Sequence, residues 1–132
     1  MTGLLELLKD HPQIEFEAGD VIIRENHPID CLYVLAEGEV QITKDHVPVC
    51  KISRKGSAFG EVSALLGILP TATVVATKKT RMFAAGDAAA LLATNIDVTL
   101  EIARMLAGRV KRLTFNYVEE MDDGESIFWR NR

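Results

Sequence analysis

Glu61 stands directly after Gly60 in the run Phe59-Gly60-Glu61-Val62-Ser63-Ala64-Leu65-Leu66-Gly67. The run predicts a short helix over 61–66, entered through a glycine. A helix start leaves backbone N–H groups without intrahelical partners and carries partial positive charge, so it suits an anion or a polar oxygen. A tight turn then leads through Ile68-Leu69-Pro70-Thr71-Ala72-Thr73-Val74 into a strand. The polar groups on offer are the backbone amides of Val62, Ala72 and Thr73, the hydroxyls of Ser63, Thr71 and Thr73, and the Glu61 carboxylate. No Lys or Arg lies between Lys55 and Lys78. An anion seated here meets no local cation.

Other chemistries have weaker support. His11, His27 and His46 fall in apparent turns, with no His-x-His and no His-x-x-x-His spacing for a metal. No Ser/His/Asp or Cys/His arrangement stands out for a nucleophile. The expectation is no metal, no catalytic residue and no enzyme. Cys31 and Cys50 each sit in an apolar strand-like run and belong to no C-x-x-C pair. They read as two reduced core thiols of a cytosolic protein. Whether they neighbour each other in a sheet stays open.

The elements that must position these groups follow from pattern. A length of 132 residues suits one domain with one core, and 48% hydrophobic residues can fill it. Net charge of -4 argues against nucleic acid as the main partner. No apolar run reaches the roughly 18 residues that span a bilayer. The N-terminus shows neither a basic and apolar secretory pattern nor a glycine at position 2. A cytoplasmic protein without a membrane partner is expected.

Residues 2–9 predict an amphipathic helix capped by Thr2, with Leu4, Leu5, Leu7 and Leu8 on its apolar face and His11-Pro12 ending it. Over 14–85 the pattern changes to short β runs divided by turns. Seven strands are visible, with room for an eighth near Ser57-Ala58, as in an all-β sandwich or barrel. Turns fall at Ala18-Gly19-Asp20, Glu25-Asn26-His27-Pro28, Glu37-Gly38, Lys44-Asp45-His46 and Ser53-Arg54-Lys55-Gly56. The stretch from Phe59 then leads into a strand over Thr71–Ala76, and a last strand covers Arg81–Ala84.

Helical period returns over 87–121. Asp87 caps a short piece through Leu92, and Thr94-Asn95-Ile96-Asp97 has capping-box spacing. A long helix then runs from about Asn95 to Met121 with an apolar stripe at Ile102, Leu106, Val110, Leu113, Tyr117 and Met121. At about 1.5 Å per residue it reaches roughly 40 Å, longer than a small barrel is wide. Its simplest partner is a second copy, giving a homodimer through Leu106, Gly108, Val110, Leu113 and Tyr117. Gly108 reads either as close backbone approach at a helix crossing or as a tolerated surface glycine. The tail, 122–132, begins acidic and carries Ile127-Phe128-Trp129, either loosely ordered or docked on the barrel.

In this order, Ala18-Gly19-Asp20-Val21-Ile22, Ile29 through Gly38, and Phe59-Gly60-Glu61 through Ala72-Thr73-Val74 resemble the cyclic nucleotide-binding domain family. That family includes the bacterial catabolite activator, protein kinase regulatory subunits and nucleotide-gated channels. The resemblance covers about Leu4 to Leu113. It implies a mainly β fold with flanking helices: an eight-stranded double-stranded β-helix (jelly-roll) barrel plus a long C-terminal helix, one domain over 1–132. It also implies a phosphate-binding cassette beginning at Gly60 and Glu61, with Glu61 accepting from a ribose 2′-hydroxyl and Ser63 assisting. The family cassette continues with an arginine that pairs with the cyclic phosphate. Aligned on Ala72-Thr73-Val74, Pro70 takes that place; aligned on the proline, Thr71 does. Neither is a cation. Lys78 is seven residues beyond Thr71, about 23 Å along an extended strand, too far to substitute. Lys78, Lys79 and Arg81 read as a solvated turn.

Two readings of Glu61 remain, ligand contact and simple favour at a helix start. The candidate ligand residues are therefore Gly60, Glu61, Val62, Ser63, Pro70, Thr71, Ala72 and Thr73. The expected function is a non-catalytic regulatory or sensory module in which cyclic AMP or cyclic GMP binds weakly, or another small ligand takes the site. The alternative is a degenerate module with no nucleotide, acting through dimerisation or protein interaction. Only eleven residues follow Met121, too few for a helix-turn-helix, so no DNA binding by this chain is expected.

Overall fold

The structure is a computed structural model that describes residues 3–121, with side chains through residue 115. Two compact units divide the chain, Met1–Glu101 and Ile102–Arg132. The first unit is mainly β. In chain order it holds α1 (Leu4–Leu7), β1 (Gln13–Phe16), β2 (Val21–Ile23), β3 (Cys31–Glu37), β4 (Val40–Lys44), β5 (Val47–Ile52), β6 (Ala58–Phe59), α2 (Glu61–Leu66), β7 (Thr73–Ala76), β8 (Thr80–Gly86) and α3 (Ala88–Thr94). A long helix, α4 (Ile96–Met121), follows.

Two four-stranded sheets carry the architecture, in the orders β1-β8-β3-β6 and β2-β7-β4-β5. Every pairing in them is antiparallel. Ile22, Ile23, Leu35, Val40, Phe59, Val74, Ala76 and Met82, drawn from both sheets, form one buried cluster, with Phe16, Ile29, Tyr33, Ile42 and Ile52 packed against it. β3 is buried on both faces. Tyr33 and Leu35 join this cluster, while Leu32 and Val34, of opposite parity, are also fully buried. Helix α1 packs against β3, and α3 packs against β8 and α2.

The β4–β5 hairpin closes through two residues, Asp45 and His46, both at positive φ (51° and 67°). Such a turn matches the right-handed twist of the strands it joins. At the other end of β4, Gly38 turns at φ +117°. A Cβ there would lie 2.6 Å from Thr80 Cα and 2.7 Å from the Lys79 carbonyl oxygen. Only glycine fits. The buried Thr80 hydroxyl accepts from the Glu39 N–H (3.2 Å) and donates to the Lys78 carbonyl (2.8 Å).

Several sequence expectations need correction. The first helix is Leu4–Leu7, preceded by Gly3, and Thr2 lies outside the described residues. The eighth strand is real but short, at Ala58–Phe59. The strand expected from Thr71 starts at Thr73, and the last strand is longer than read, Thr80–Gly86. Asp87 precedes α3 in the left-handed region and makes no side-chain cap bond. Asn95, not Thr94, caps α4: its Oδ1 accepts from the Val98 N–H at 3.2 Å. The Thr94 hydroxyl instead donates back to the Ala90 carbonyl at 2.7 Å. Cys50 is exposed rather than in the core: residues 47–51 of β5 are exposed, on both faces of the strand. Cys31 is half-buried and lies in the other sheet, so the two thiols are not sheet neighbours.

Within the second unit, α4 leaves Val110 (62%), Leu113 (68%) and Phe115 (62%) exposed, while Leu106 and Gly108 are half-buried. The side chains of Tyr117 and Met121 and the whole 122–132 tail lie outside the described residues.

Candidate ligand site

Gly60 fixes where α2 begins. Its backbone is left-handed (φ 93°, ψ −4°), and a Cβ there would meet the Cys31 carbonyl oxygen at 2.5 Å and Ile29 Cδ1 at 3.2 Å. The glycine lets α2 start hard against the first residue of β3, a packing reason the sequence did not reveal. Ala64 N–H bonds to the Gly60 carbonyl at 3.2 Å, and Gly67, again left-handed, ends the helix by bonding to the Ser63 carbonyl at 2.9 Å.

Glu61 is 3% exposed, the deepest carboxylate among the described residues. Burial of a charged group is costly unless it is partnered, so its position in the first turn of α2 is specified, not incidental. Val62 is exposed and Ser63 half-buried. Leu65, Leu66, Ile68 and Leu69 turn outward, so the end of α2 and the 67–69 turn present an apolar surface.

The descending arm is tied to a neighbouring loop. Pro70 is buried, and its carbonyl accepts from the Asn26 N–H at 2.9 Å. Thr71 is exposed; Ala72 and Thr73 are half-buried. The Thr73 hydroxyl accepts from the Glu25 N–H at 3.1 Å, so one of its lone pairs is already used. The Glu25 carboxylate in turn accepts from the Asp45 N–H (3.0 Å) and from Lys44 Nζ (3.3 Å), at the β4–β5 turn. Burial pushes the Glu25 carboxyl up, but the Asp45 N–H and the Lys44 ammonium outweigh it and hold it below the usual carboxylate range. His27 Nδ1 lies 2.9 Å from the Glu25 carbonyl. Glu25 was read only as part of a turn. Its partners are 19 to 48 residues away in sequence, and no local pattern announces them.

The structure thus brings Gly60, Glu61, Val62 and Ser63 onto one short helix and gathers Pro70, Thr71, Ala72 and Thr73 beside the 25–26 loop. The cations that follow are used elsewhere. Lys79 pairs with Glu15 at 3.7 Å, and Arg81 contacts Gln13 (2.6 Å) and Glu37 (3.4 Å) on the β1-β8-β3 sheet. Lys78 is exposed. Among the described residues, no three His, Cys, Asp or Glu side chains converge for a metal, and no helix is long and apolar enough to cross a membrane.

Comparison with known proteins places this geometry. The profile of the cyclic nucleotide-binding domain matches residues 13–92. A protein of Rhodopseudomonas palustris bearing a potassium-channel name is 30% identical over 102 residues, 74% of this chain and 25% of that one. A cAMP-dependent protein kinase regulatory subunit of Eremothecium gossypii is 35% identical over 71 residues, 54% of this chain and 16% of that one. The chain therefore spans a quarter or less of the length of these curated relatives. Among solved structures, the Thermus thermophilus catabolite activator protein superposes with a TM-score of 0.68 at 24% identity, over 83% of this chain and 55% of that one. The regulatory subunit of a cAMP-independent protein kinase A from Trypanosoma brucei gives 0.63 at 22% identity, over 83% of this chain and 38% of that one. Two antiparallel sheets with flanking helices, a glycine-entered helix at Glu61 and the profile match agree: the chain belongs to the cyclic nucleotide-binding domain family.

Proposed function

We propose that this chain is a non-catalytic regulatory or sensory module whose cassette holds cyclic AMP or cyclic GMP weakly, or takes a different small ligand. The carrying observation is the 70–73 arm. Pro70 is buried with its carbonyl engaged, Thr71 is a hydroxyl at the surface, and no Lys or Arg lies between 56 and 77. A bidentate arginine–phosphate contact is among the strongest polar contacts a site offers. Removing one member of a buried charged pair costs about 2–5 kcal/mol, roughly 30-fold to several thousand-fold in affinity. The two sheets are read as the halves of an eight-stranded jelly roll in a single cytoplasmic domain. No nucleic acid or membrane is needed for its action.

The superposing structures include one titled as cAMP-bound and one titled as belonging to a cAMP-independent kinase, so the fold by itself does not choose the ligand. Calorimetric titration with cyclic AMP and cyclic GMP, beside Pro70→Arg and Thr71→Arg variants, tests the reading. Wild type should show little or no binding at micromolar nucleotide, and one arginine variant should bind at least tenfold tighter, the gain of about one charge-assisted contact. Sub-micromolar affinity of the wild type overturns it.

A second reading, a module that acts by pairing, is favoured by the exposure of Val110 and Leu113 on α4. In it, Leu106, Gly108, Val110, Leu113 and Tyr117 form the homodimer seam. Sedimentation of the wild type and of Val110→Glu/Leu113→Glu decides it: a dimer should dissociate in the variant, and a wild-type monomer at high concentration rules the seam out.

A further inference from the structure

We propose that Glu25 is the positioning residue of the 70–73 arm, and that through it the arm and the β4–β5 turn respond as one unit. The proposal rests on reading 70–73 as part of a ligand cassette. Three segments far apart in sequence meet at this residue. Its backbone N–H holds the Thr73 hydroxyl at 3.1 Å, and the next N–H, of Asn26, holds the Pro70 carbonyl at 2.9 Å. Both ends of the four-residue arm are therefore pinned by consecutive amides. Its carboxylate holds the other side of the junction, with Asp45 N–H on Oε1 at 3.0 Å and Lys44 Nζ on Oε2 at 3.3 Å.

The carboxylate is 15% exposed and bonded on both oxygens, which distinguishes it from the surface pairs Lys9–Glu6 and Lys79–Glu15, whose partners are each at least 60% exposed. Asn26 adopts φ 63°, so the 25–26 loop does not rest in the most favoured backbone region. A loop of that kind keeps one geometry when partners outside it define it. The β4–β7 ladder stops at Thr43–Thr73; beyond it Lys44 pairs with Val47 in the hairpin, and Lys44 Nζ and the Asp45 N–H bond the Glu25 carboxylate. A displacement at Ala72–Thr73 therefore passes to Asp45 through one backbone and one carboxylate.

Amide exchange and chemical shifts of the ligand-free protein test this, in wild type, Glu25→Ala, Glu25→Gln and Thr73→Val. Glu25→Ala should speed Asp45 N–H exchange about tenfold, the loss of one charged hydrogen bond, and should also shift the Ala72 and Thr73 amides. Glu25→Gln should restore most of both, since its amide oxygen still accepts from Asp45. Thr73→Val should move the Asp45 N–H, which bonds the Glu25 carboxylate and not Thr73. A Glu25→Ala protein perturbed at Asp45 but silent at Ala72 and Thr73 overturns the proposal, as does a Thr73→Val protein silent at Asp45. Adding millimolar cyclic AMP to the wild type separates this from the ligand reading. If 71–73 do not shift, the cyclic-nucleotide reading fails, while the ligand-free shifts still decide the positioning role.

Discussion

Strand β3 runs between two left-handed glycines, and their surroundings differ in kind. Beyond its end, Gly38 (φ +117°) is pressed against the backbone of Lys79 and Thr80. There the Thr80 and Thr77 hydroxyls and the Glu39 backbone and carboxylate bond one another, with Thr77 Oγ1 donating to Glu39 Oε1 at 2.7 Å. At its start, Gly60 (φ +93°) is pressed against the Cys31 carbonyl. There the chain that follows turns four large apolar side chains outward, and its 70–73 arm is hydrogen-bonded to the 25–26 loop. One junction is closed by its own groups. The other has an entry fixed by backbone packing and an exit held by hydrogen bonds from a separate loop.

The sharpest way to break this comparison is Gly38→Ala. The new Cβ meets backbone atoms on two residues and sits at a φ that side chains rarely adopt, so neither neighbour can yield. Overpacking and strain together should cost about 4 kcal/mol. Thermal and urea unfolding should both show it, and a loss below ~1 kcal/mol would mean that the Gly38–Thr80 junction is far softer than its geometry. Gly60→Ala should cost less, about 3 kcal/mol, because its clash involves one backbone oxygen and one movable Ile29 methyl. It should also disturb α2 more than the sheets, which amide exchange across 60–67 reads directly. Equal protection loss in β3 and α2 would show that the entry to α2 is no more local than the Gly38 junction.

Much of this contrast was legible in the chain, for physical reasons that can be named. Gly60 and Gly67 bracket α2 at the residues read, since each supplies a left-handed step that most side chains avoid. The missing cation in 56–77 is a matter of composition and needed no coordinates. Three things were hidden. Thr94 and Asn95 are adjacent cap formers, and only the hydrogen bonds show that the first serves the end of α3 and the second the start of α4. Cys50 reads as core because β5 is apolar, but nothing among the described residues buries either face of β5 over 47–51, and its pattern alone does not show that. Glu25 is the largest omission from the candidate site. Its identity as a polar turn residue was plain, but what it joins depends on long-range folding that no spacing encodes.

The smallest effect distinguishes the two junctions by acid. Each has a carboxylate held below its ordinary value of 4.5. At Glu39 the Thr77 hydroxyl is the main cause, opposed by burial and aided by Lys78 and Lys51. At Glu25 burial works the other way and is outweighed by the Asp45 N–H and Lys44. A carboxyl whose folded pKa lies below its unfolded value stabilises the fold above that unfolded value. The contribution is lost as pH falls through the folded pKa. Both residues should thus steepen the fall in Tm between about pH 5 and pH 2, and Glu25→Gln or Glu39→Gln should each flatten it. Salt separates them. The Lys44 contribution at Glu25 is partly screened, whereas a neutral hydroxyl donor at Glu39 is not, so raising ionic strength should shrink the Glu25→Gln difference and leave more of the Glu39→Gln difference intact. Identical acid limbs for wild type and Glu25→Gln at low salt would show that the carboxylate contributes nothing to holding the loop, and its hold on the 70–73 arm would then come from the backbone bonds of Glu25 and Asn26.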